Sequence, residues 1–290
     1  MVTNKKAKKF AIIIGAMKSG TTALYRYLIE LSSICPCPVK EPDYFCISKD
    51  HVQARRVRDV KNYEDLWSHF EVEKHMYCLE ASTGYTKYPF NKGVPERMYD
   101  YQIFPKFIYI VRDPIDRIES QVNFEMNIEG KKYEEFTHPE LVELSKYDMQ
   151  LERYRRAFGE ELQLFIVDSD DLKNKPEKVI EECIAFLDIS CQDVPGVTGE
   201  KFNKSQDTLL DRALGQIRSN WIVNKVFSGG RRDLAQRIVR PLLPYLRSVS
   251  PNANTHTMSQ QQEEKVKELL YEDMSNFEDN YNFPVSKWGF

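Results

Sequence analysis

Apolar residues crowd into short blocks along this chain, and the blocks follow two different spacings. Residues 10–14, Phe-Ala-Ile-Ile-Ile, are apolar without interruption, and so are residues 107–111, Phe-Ile-Tyr-Ile-Val. Residues 162–167, Leu-Gln-Leu-Phe-Ile-Val, are nearly so. Short apolar runs bounded by Gly, Pro or charge predict strands buried on both faces, as in a parallel sheet. Weaker runs at residues 34–39 and 76–79 predict two more strands, the first an edge strand because prolines bound it. Between these blocks apolar residues recur at helical spacing. Ala23, Leu24, Tyr27, Leu28 and Leu31 share a face after residues 19–22, and Tyr63, Leu66, Trp67 and Phe70 share one over residues 62–70. Further helices are predicted over residues 95–101, 115–126, 141–158 and 176–187. Residues 191–206 lack a period and read as a loop, and helices over 207–226, 231–246 and 260–280 close the chain. Alternating strand and helix predicts an α/β fold: a mainly parallel sheet flanked by helices, with a helical C-terminal third. No repeat, low-complexity tract or linker divides it, so a single domain over residues 1–290 is expected.

The candidate chemistry sits where strands end. Gly15 closes the first strand, and Ser19 and Gly20 lead into a helix. A strand, a glycine turn and a helix start form an anion cradle: amide N–H groups face the ligand and the helix dipole favours negative charge. Lys18 adds a full charge, and Thr21 and Thr22 add hydroxyl donors. A nucleoside triphosphatase loop would place Lys directly after the second glycine; here Thr21 stands there and the lysine comes earlier. After the second predicted strand comes Lys40-Glu41-Pro42-Asp43-Tyr44-Phe45. Pro42 biases Glu41 toward an extended conformation, and a carboxylate just past a strand end reaches the crevice where open α/β sheets bind ligands. The plain alternative is a solvated loop charge. Arg112-Asp113-Pro114 follows the 107–111 strand, with Asp113 as a helix N-cap and Pro114 at the first helical position. Arg112 and Ser120, about two turns into that helix, suit a second phosphate, since the planar guanidinium donates two parallel hydrogen bonds. The alternative for Arg112 is an ion pair with Asp113 or Asp116.

Composition narrows the choice. The net charge of −3 argues against a nucleic-acid partner. The basic runs Lys5, Lys6, Lys8, Lys9 and Arg231, Arg232, Arg237, Arg240 read as solvated surface. No apolar run approaches the roughly 18 residues of a membrane helix, and the first strand is too short for a signal peptide. No membrane partner and a cytoplasmic location are therefore expected, with Cys35, Cys37, Cys46, Cys78, Cys183 and Cys191 as reduced thiols. Cys35, Cys37, Cys46 and His51 lack the second ligand pair of a zinc site, so no metal is expected.

Taken in order, the first loop, Lys40-Glu41-Pro-Asp-Tyr-Phe and Val-Arg112-Asp-Pro-x5-Ser120 resemble the motifs of sulfotransferases that use 3′-phosphoadenosine 5′-phosphosulfate (PAPS), above all the heparan-sulfate-type and bacterial branch. The likeness continues through residues 147–187 and the closing Asn280-Tyr-Asn-x5-Trp288-Gly. It implies a P-loop-like sulfotransferase fold. It implies that Gly15, Lys18, Ser19, Gly20, Thr21 and Thr22 wrap the 5′-phosphosulfate, with Lys18 catalytic. It also implies that Arg112 and Ser120 hold the 3′-phosphate, that Glu41 is the catalytic base, and that the loop carrying Lys201, Asn203, Lys204 and Ser205 closes over the nucleotide. Two departures bear on the acceptor. Asp43 stands where the heparan-sulfate enzymes have His, and Ala81 where many have Lys. Both remove positive charge, so a small neutral or cationic acceptor is expected rather than a sulfated polysaccharide. Asp43, Tyr44, Tyr85, Phe124 and Tyr147 are the candidate acceptor residues. The expected activity is transfer of the sulfuryl group from PAPS to a hydroxyl or amine of a small molecule, giving 3′-phosphoadenosine 5′-phosphate (PAP). A carbohydrate O-sulfotransferase, a P-loop kinase and a non-catalytic nucleotide binder are the rivals; the acceptor's identity and a homo-oligomer are left open.

Overall fold

The computed structural model describes residues 8–46, 57, 60–189 and 255–290. Among these, five strands form one parallel sheet: β1 (Lys9–Gly15), β2 (Ile34–Pro36), β3 (Tyr77–Ala81), β4 (Lys106–Val111) and β5 (Gln163–Asp168), in the order β2-β3-β1-β4-β5. The short proline-bounded β2 is an edge, as its sequence predicts. The chain leaves β1 for β3 and β2 on one side, then returns to β4 and β5 on the other. Open sheets bind ligands where the strand order reverses in this way, at the carboxyl ends of the strands.

The apolar runs have no polar face because both faces of the sheet are covered. Ala11, Ile13, Leu79, Ile108 and Ile110 pack with Leu24 and Leu28 of helix α1 (Thr21–Leu28). Val179, Ile180 and Cys183 join the same core from a helix that follows β5, Pro176–Phe186. On the opposite face, Phe10 packs at a tilt against Tyr63 and Trp67, with ring centroids 5.1 and 5.4 Å away. Phe107 meets Tyr154 and Phe158 at 5.0 and 5.1 Å. Residues 62–70 were expected to be a helix; the structure has a 3₁₀ turn, Tyr63–Trp67. Its Tyr63 hydroxyl is drawn inward to Glu80, at 2.6 Å.

The remaining helices are α2 (Val94–Asp100), α3 (Pro114–Phe124), α4 (Pro139–Glu143), α5 (Tyr147–Phe158), α6 (Ser169–Asn174), α7 (Pro176–Phe186) and α8 (Gln260–Tyr281). The single helix expected over residues 141–158 is in fact two, α4 and α5. An unbroken helix would bond Ser145 N–H to the Leu141 carbonyl. That carbonyl instead accepts from Arg117 at 2.8 Å and from the Ser145 hydroxyl at 3.0 Å, while Ser145 N–H turns to Val142. A new helix then starts under a new cap. Asp273 of α8 accepts from Asp148 N–H and Met149 N–H at 3.1 and 2.8 Å.

The chain divides into two compact units. One comprises Met1–Gln121, Glu134–Val194 and Met258–Phe290 and holds the sheet; the other comprises Val122–Tyr133 and Pro195–Thr257. In the second unit a π-helical stretch, Glu125–Glu129, follows Phe124. There the Asn123 side chain bonds the His256 backbone twice, at 2.8 and 2.7 Å. The helices expected over 207–226 and 231–246, and the loop over 191–206, lie outside the described residues. No described helix is long and apolar enough to cross a membrane.

Candidate active site

The loop after β1 is built around backbone that only special residues accept. Gly15 has φ +149°, and a Cβ placed there would meet Thr86 Oγ1 at 2.1 Å. Thr86 donates that hydroxyl to the Ile14 carbonyl at 2.8 Å, fixing the start of the loop from below. Gly20 is left-handed at φ +103° and is the N-cap of α1, so it supplies no side-chain cap. Ala23 N–H and Leu24 N–H both bond the Gly20 carbonyl. Thr21 and Thr22 lie at the first helical positions, whose N–H groups have no acceptor within the helix. The first turn contains no acidic residue. Ser19 is 1 % exposed, and its Oγ has no hydrogen-bond partner among the described residues. The Tyr147 hydroxyl is close enough to feel Ser19, but no bond of acceptable geometry joins them. A buried hydroxyl without a partner, beside an uncapped helix start and Lys18, is a cradle shaped for an anion.

Six non-glycine residues among those described have positive φ: Lys18, Glu41, Asp43, Gln102, Asp188 and Asn282. The last three follow the ends of α2, α7 and α8, where a left-handed residue is the ordinary way to stop a helix. No helix end accounts for Lys18 (φ 68°), Glu41 (φ 53°) or Asp43 (φ 47°). Held against the usual steric preference, such residues cluster at working sites. All three fall in the two motifs that follow β1 and β2.

Glu41 is partly exposed and pairs with Lys40 at 3.2 Å. The extended conformation expected before Pro42 is replaced by a left-handed one. Asp43 is buried; burial first, then the charges of Glu41 and Glu80, raise its pKa to about 7. Behind it lies Glu80 of β3, with no exposure. Its Oε1 accepts from Tyr63 at 2.6 Å and Tyr85 at 3.0 Å, and its Oε2 from Ser82 at 2.7 Å. Burial raises its pKa to about 7 against the pull of those three bonds. Ser82 Oγ in turn accepts from Asp43 N–H at 3.2 Å, while Ser82 N–H bonds the Ile13 carbonyl at 3.0 Å.

Arg112 leaves the end of β4, and its guanidinium lies along α3, 2.8 Å from Asp116. The ion-pair alternative is therefore realised with Asp116, while Asp113 caps α3 by accepting from Ile115 N–H at 2.8 Å. The pair with Asp116 is exposed, the kind of contact water and ligands displace readily. Tyr147 at the start of α5 donates to the Arg112 carbonyl at 2.6 Å. Burial pushes its pKa up to about 12. Ser120 is half-buried on α3.

Lys18, Glu41, Glu80 and Arg112 thus lie at the same rim, in or just past β1, β2, β3 and β4. The expected acceptor residues have separate fates. Tyr85 and Tyr147 are 2 % and 0 % exposed, their hydroxyls bonded to Glu80 and the Arg112 backbone. Tyr44 donates to the Lys61 carbonyl at 3.0 Å and packs against Phe45, Tyr63 and Tyr101. Phe124 belongs to the second unit. Lys201, Asn203, Lys204 and Ser205 lie outside the described residues. Glu80 and Ser82 are not among the candidate residues that the sequence singles out. The available signal was a carboxylate inside an otherwise apolar strand, since an unpaired Glu is almost never fully buried.

A parallel sheet of this order, with a glycine turn after its central strand opening an uncapped helix, defines a P-loop-like α/β protein. Within that class the chain belongs to the sulfotransferase domain family, whose model matches residues 8–278, and its chemistry is sulfonate transfer. A solved sulfotransferase from Alicyclobacillus acidocaldarius shares the fold at 21 % identity and a TM-score of 0.66, over 98 % of this chain and 100 % of that one. The mouse sulfotransferase SULT7A1 complexed with PAP is similar at 16 % identity and a TM-score of 0.48, over 93 % of this chain and 84 % of that one. No curated protein matches the chain.

Proposed function

We propose that the protein transfers the sulfuryl group of PAPS to a hydroxyl or amine of a small-molecule acceptor. The observation that carries this reading is the cradle at residues 15–22: Ser19 Oγ buried without a partner, an α1 start without a side-chain cap or acidic residue, and Lys18 in the turn. Those groups fit a 5′-phosphosulfate, and Arg112 with Ser120 supplies donors for a 3′-phosphate. PAPS, when bound, supplies the sulfuryl group and a phosphate leaving group. Glu41 takes the proton from the acceptor as the acceptor's oxygen or nitrogen bonds to sulfur. Lys18 and the loop amides neutralise the phosphate oxygen that receives the electron pair of the broken S–O bond. Catalysis of this kind is positioning and charge stabilisation, as in phosphoryl transfer. Glu41, the partly exposed carboxylate of this turn, disfavours an anionic acceptor.

The test uses radiolabelled PAPS with 4-nitrophenol, tyramine and glucosamine as probe acceptors. Glu41→Gln and Lys18→Ala are each expected to cut turnover by about 10²-fold or more. PAP affinity should survive Glu41→Gln and fall with Lys18→Ala. A thermal-shift titration separates the kinase reading: PAP at about 100 times its Kd should add about 2.7 kcal/mol of apparent stability, and ATP with magnesium much less. Wild-type rates in both variants, or a larger shift from ATP, would end the assignment.

A further inference from the structure

We propose that Ser82 and Glu80 are positioning residues that hold the Glu41 turn against the phosphate loop. The assignment rests on the sulfuryl-transfer reading above. The turn at residues 41–43 is an expensive one: Glu41 and Asp43 are both left-handed, at φ 53° and 47°. Backbone of this kind persists only where its surroundings over-determine it. Among the described residues, one short segment supplies several of the contacts to this turn. Ser82 uses its two polar groups on two different motifs. Its N–H binds the Ile13 carbonyl of β1 at 3.0 Å, two residues before Gly15, and its Oγ accepts the Asp43 N–H at 3.2 Å. Thr86 adds the bond to the Ile14 carbonyl. Gly84 presses on the same turn, since a Cβ there would lie 2.5 Å from Asp43 Oδ1.

The direction of the chain of bonds comes from Glu80. In its ionised form the Glu80 carboxylate only accepts, and all three of its bonds come from hydroxyl donors. Glu80 Oε2 takes the Ser82 proton at 2.7 Å, which points the Ser82 lone pairs toward Asp43 N–H. Tyr63 and Tyr85 lock the other oxygen, so the carboxylate cannot rotate away. The result is a polarised series, Asp43 N–H to Ser82 O–H to Glu80, in a dry environment where each bond strengthens the next. Nothing in this series touches a reacting atom. Its effect on the reaction passes through the aim of Glu41.

Kinetics in the background of the base variant test the assignment. Ser82→Ala is expected to lower kcat by about 10- to 100-fold, the cost of misplacing a reacting group by an ångström or less. The Kd for PAP and the KM for the best probe acceptor should stay within about twofold, because neither is bound by Ser82. Residues acting through one unit are not additive, so Ser82→Ala should cost nothing further once Glu41→Gln is in place. Glu80→Gln, which keeps an acceptor for the two tyrosines but offers Ser82 a donor, should behave the same way. An unchanged kcat, an additive loss in the double variant, or a Ser82→Ala chain that no longer folds would overturn the assignment. Absence of transfer by the unaltered chain would sink the underlying reading, and this one with it.

Discussion

Position 15 accepts no side chain larger than hydrogen. Its φ of +149° and the 2.1 Å approach of Thr86 Oγ1 act together, because the same hydroxyl that would clash is the one anchoring Ile14. Gly15→Ala should therefore destabilise the protein by about 1–3 kcal/mol in urea denaturation and weaken PAP binding. Thr86→Ala should cost less in that background than in the parent chain, since it removes the clash along with the bond. Equal costs would place the strain elsewhere. At this scale the sequence was most legible where the backbone itself sets the demand. A glycine turn and a lysine before a helix announce an anion cradle, because few other residues fit one. Glu80 was not legible in the same way. Its partners Tyr63 and Tyr85 come from 17 residues before and 5 after, and they meet it only once β3 is in the sheet. Tyr44 was misleading for the converse reason, since adjacency to a motif says nothing about which way an aromatic ring turns.

Elements show a different failure and a different success. The apolar period runs unbroken from Leu141 to Phe158 because α4 and α5 both bury that face, so no pattern marks the break. The cause lies in two other helices: Arg117 of α3 takes the Leu141 carbonyl, and Asp273 of α8 caps Asp148 and Met149. Asp273→Ala should cost about 1–2 kcal/mol, read from the urea midpoint, and Asp273→Asn less. The break places Tyr147 at the head of α5, where its hydroxyl reaches the Arg112 carbonyl. Tyr147→Phe should weaken PAP binding by about 3- to 10-fold by calorimetry, with little effect on binding of adenosine 5′-phosphate, which lacks the 3′-phosphate. Equal losses for both nucleotides would detach Tyr147 from that role. The strands were legible as strands because both their faces are buried, leaving runs with no polar position; their order was not, since it depends on which crossover each helix takes.

Across the described residues, three carboxyls, Asp43 and Glu80 buried and Asp273 half-buried, share an unusual sign. Burial raises Asp43, Glu80 and Asp273 to about 7, well above their unfolded values. Between about pH 4.5 and 7 the folded chain then holds protons that the unfolded chain has lost. Stability should rise as pH falls through that window and be lost as pH climbs past 7, by at most about 1.4 kcal/mol per pH unit for each group. Glu152, held down by Arg156, and Asp188, held down by Lys106, work in the opposite sense at lower pH, but both sit at the surface where solvent weakens them. A melting temperature higher at pH 6 than at pH 8 is the expected result, and a flat or reversed profile would show the three groups ionised at no cost.

The segment from Glu80 to Thr86 also sets a rule for anyone wishing to redirect this scaffold toward another acceptor. Transplanting residues 40–46 from a relative would carry the base but leave its brace behind. The graft would rest on a serine and a glycine shaped for a different turn. The two stretches, though some forty positions apart in the chain, behave as one exchangeable cassette and should be swapped together.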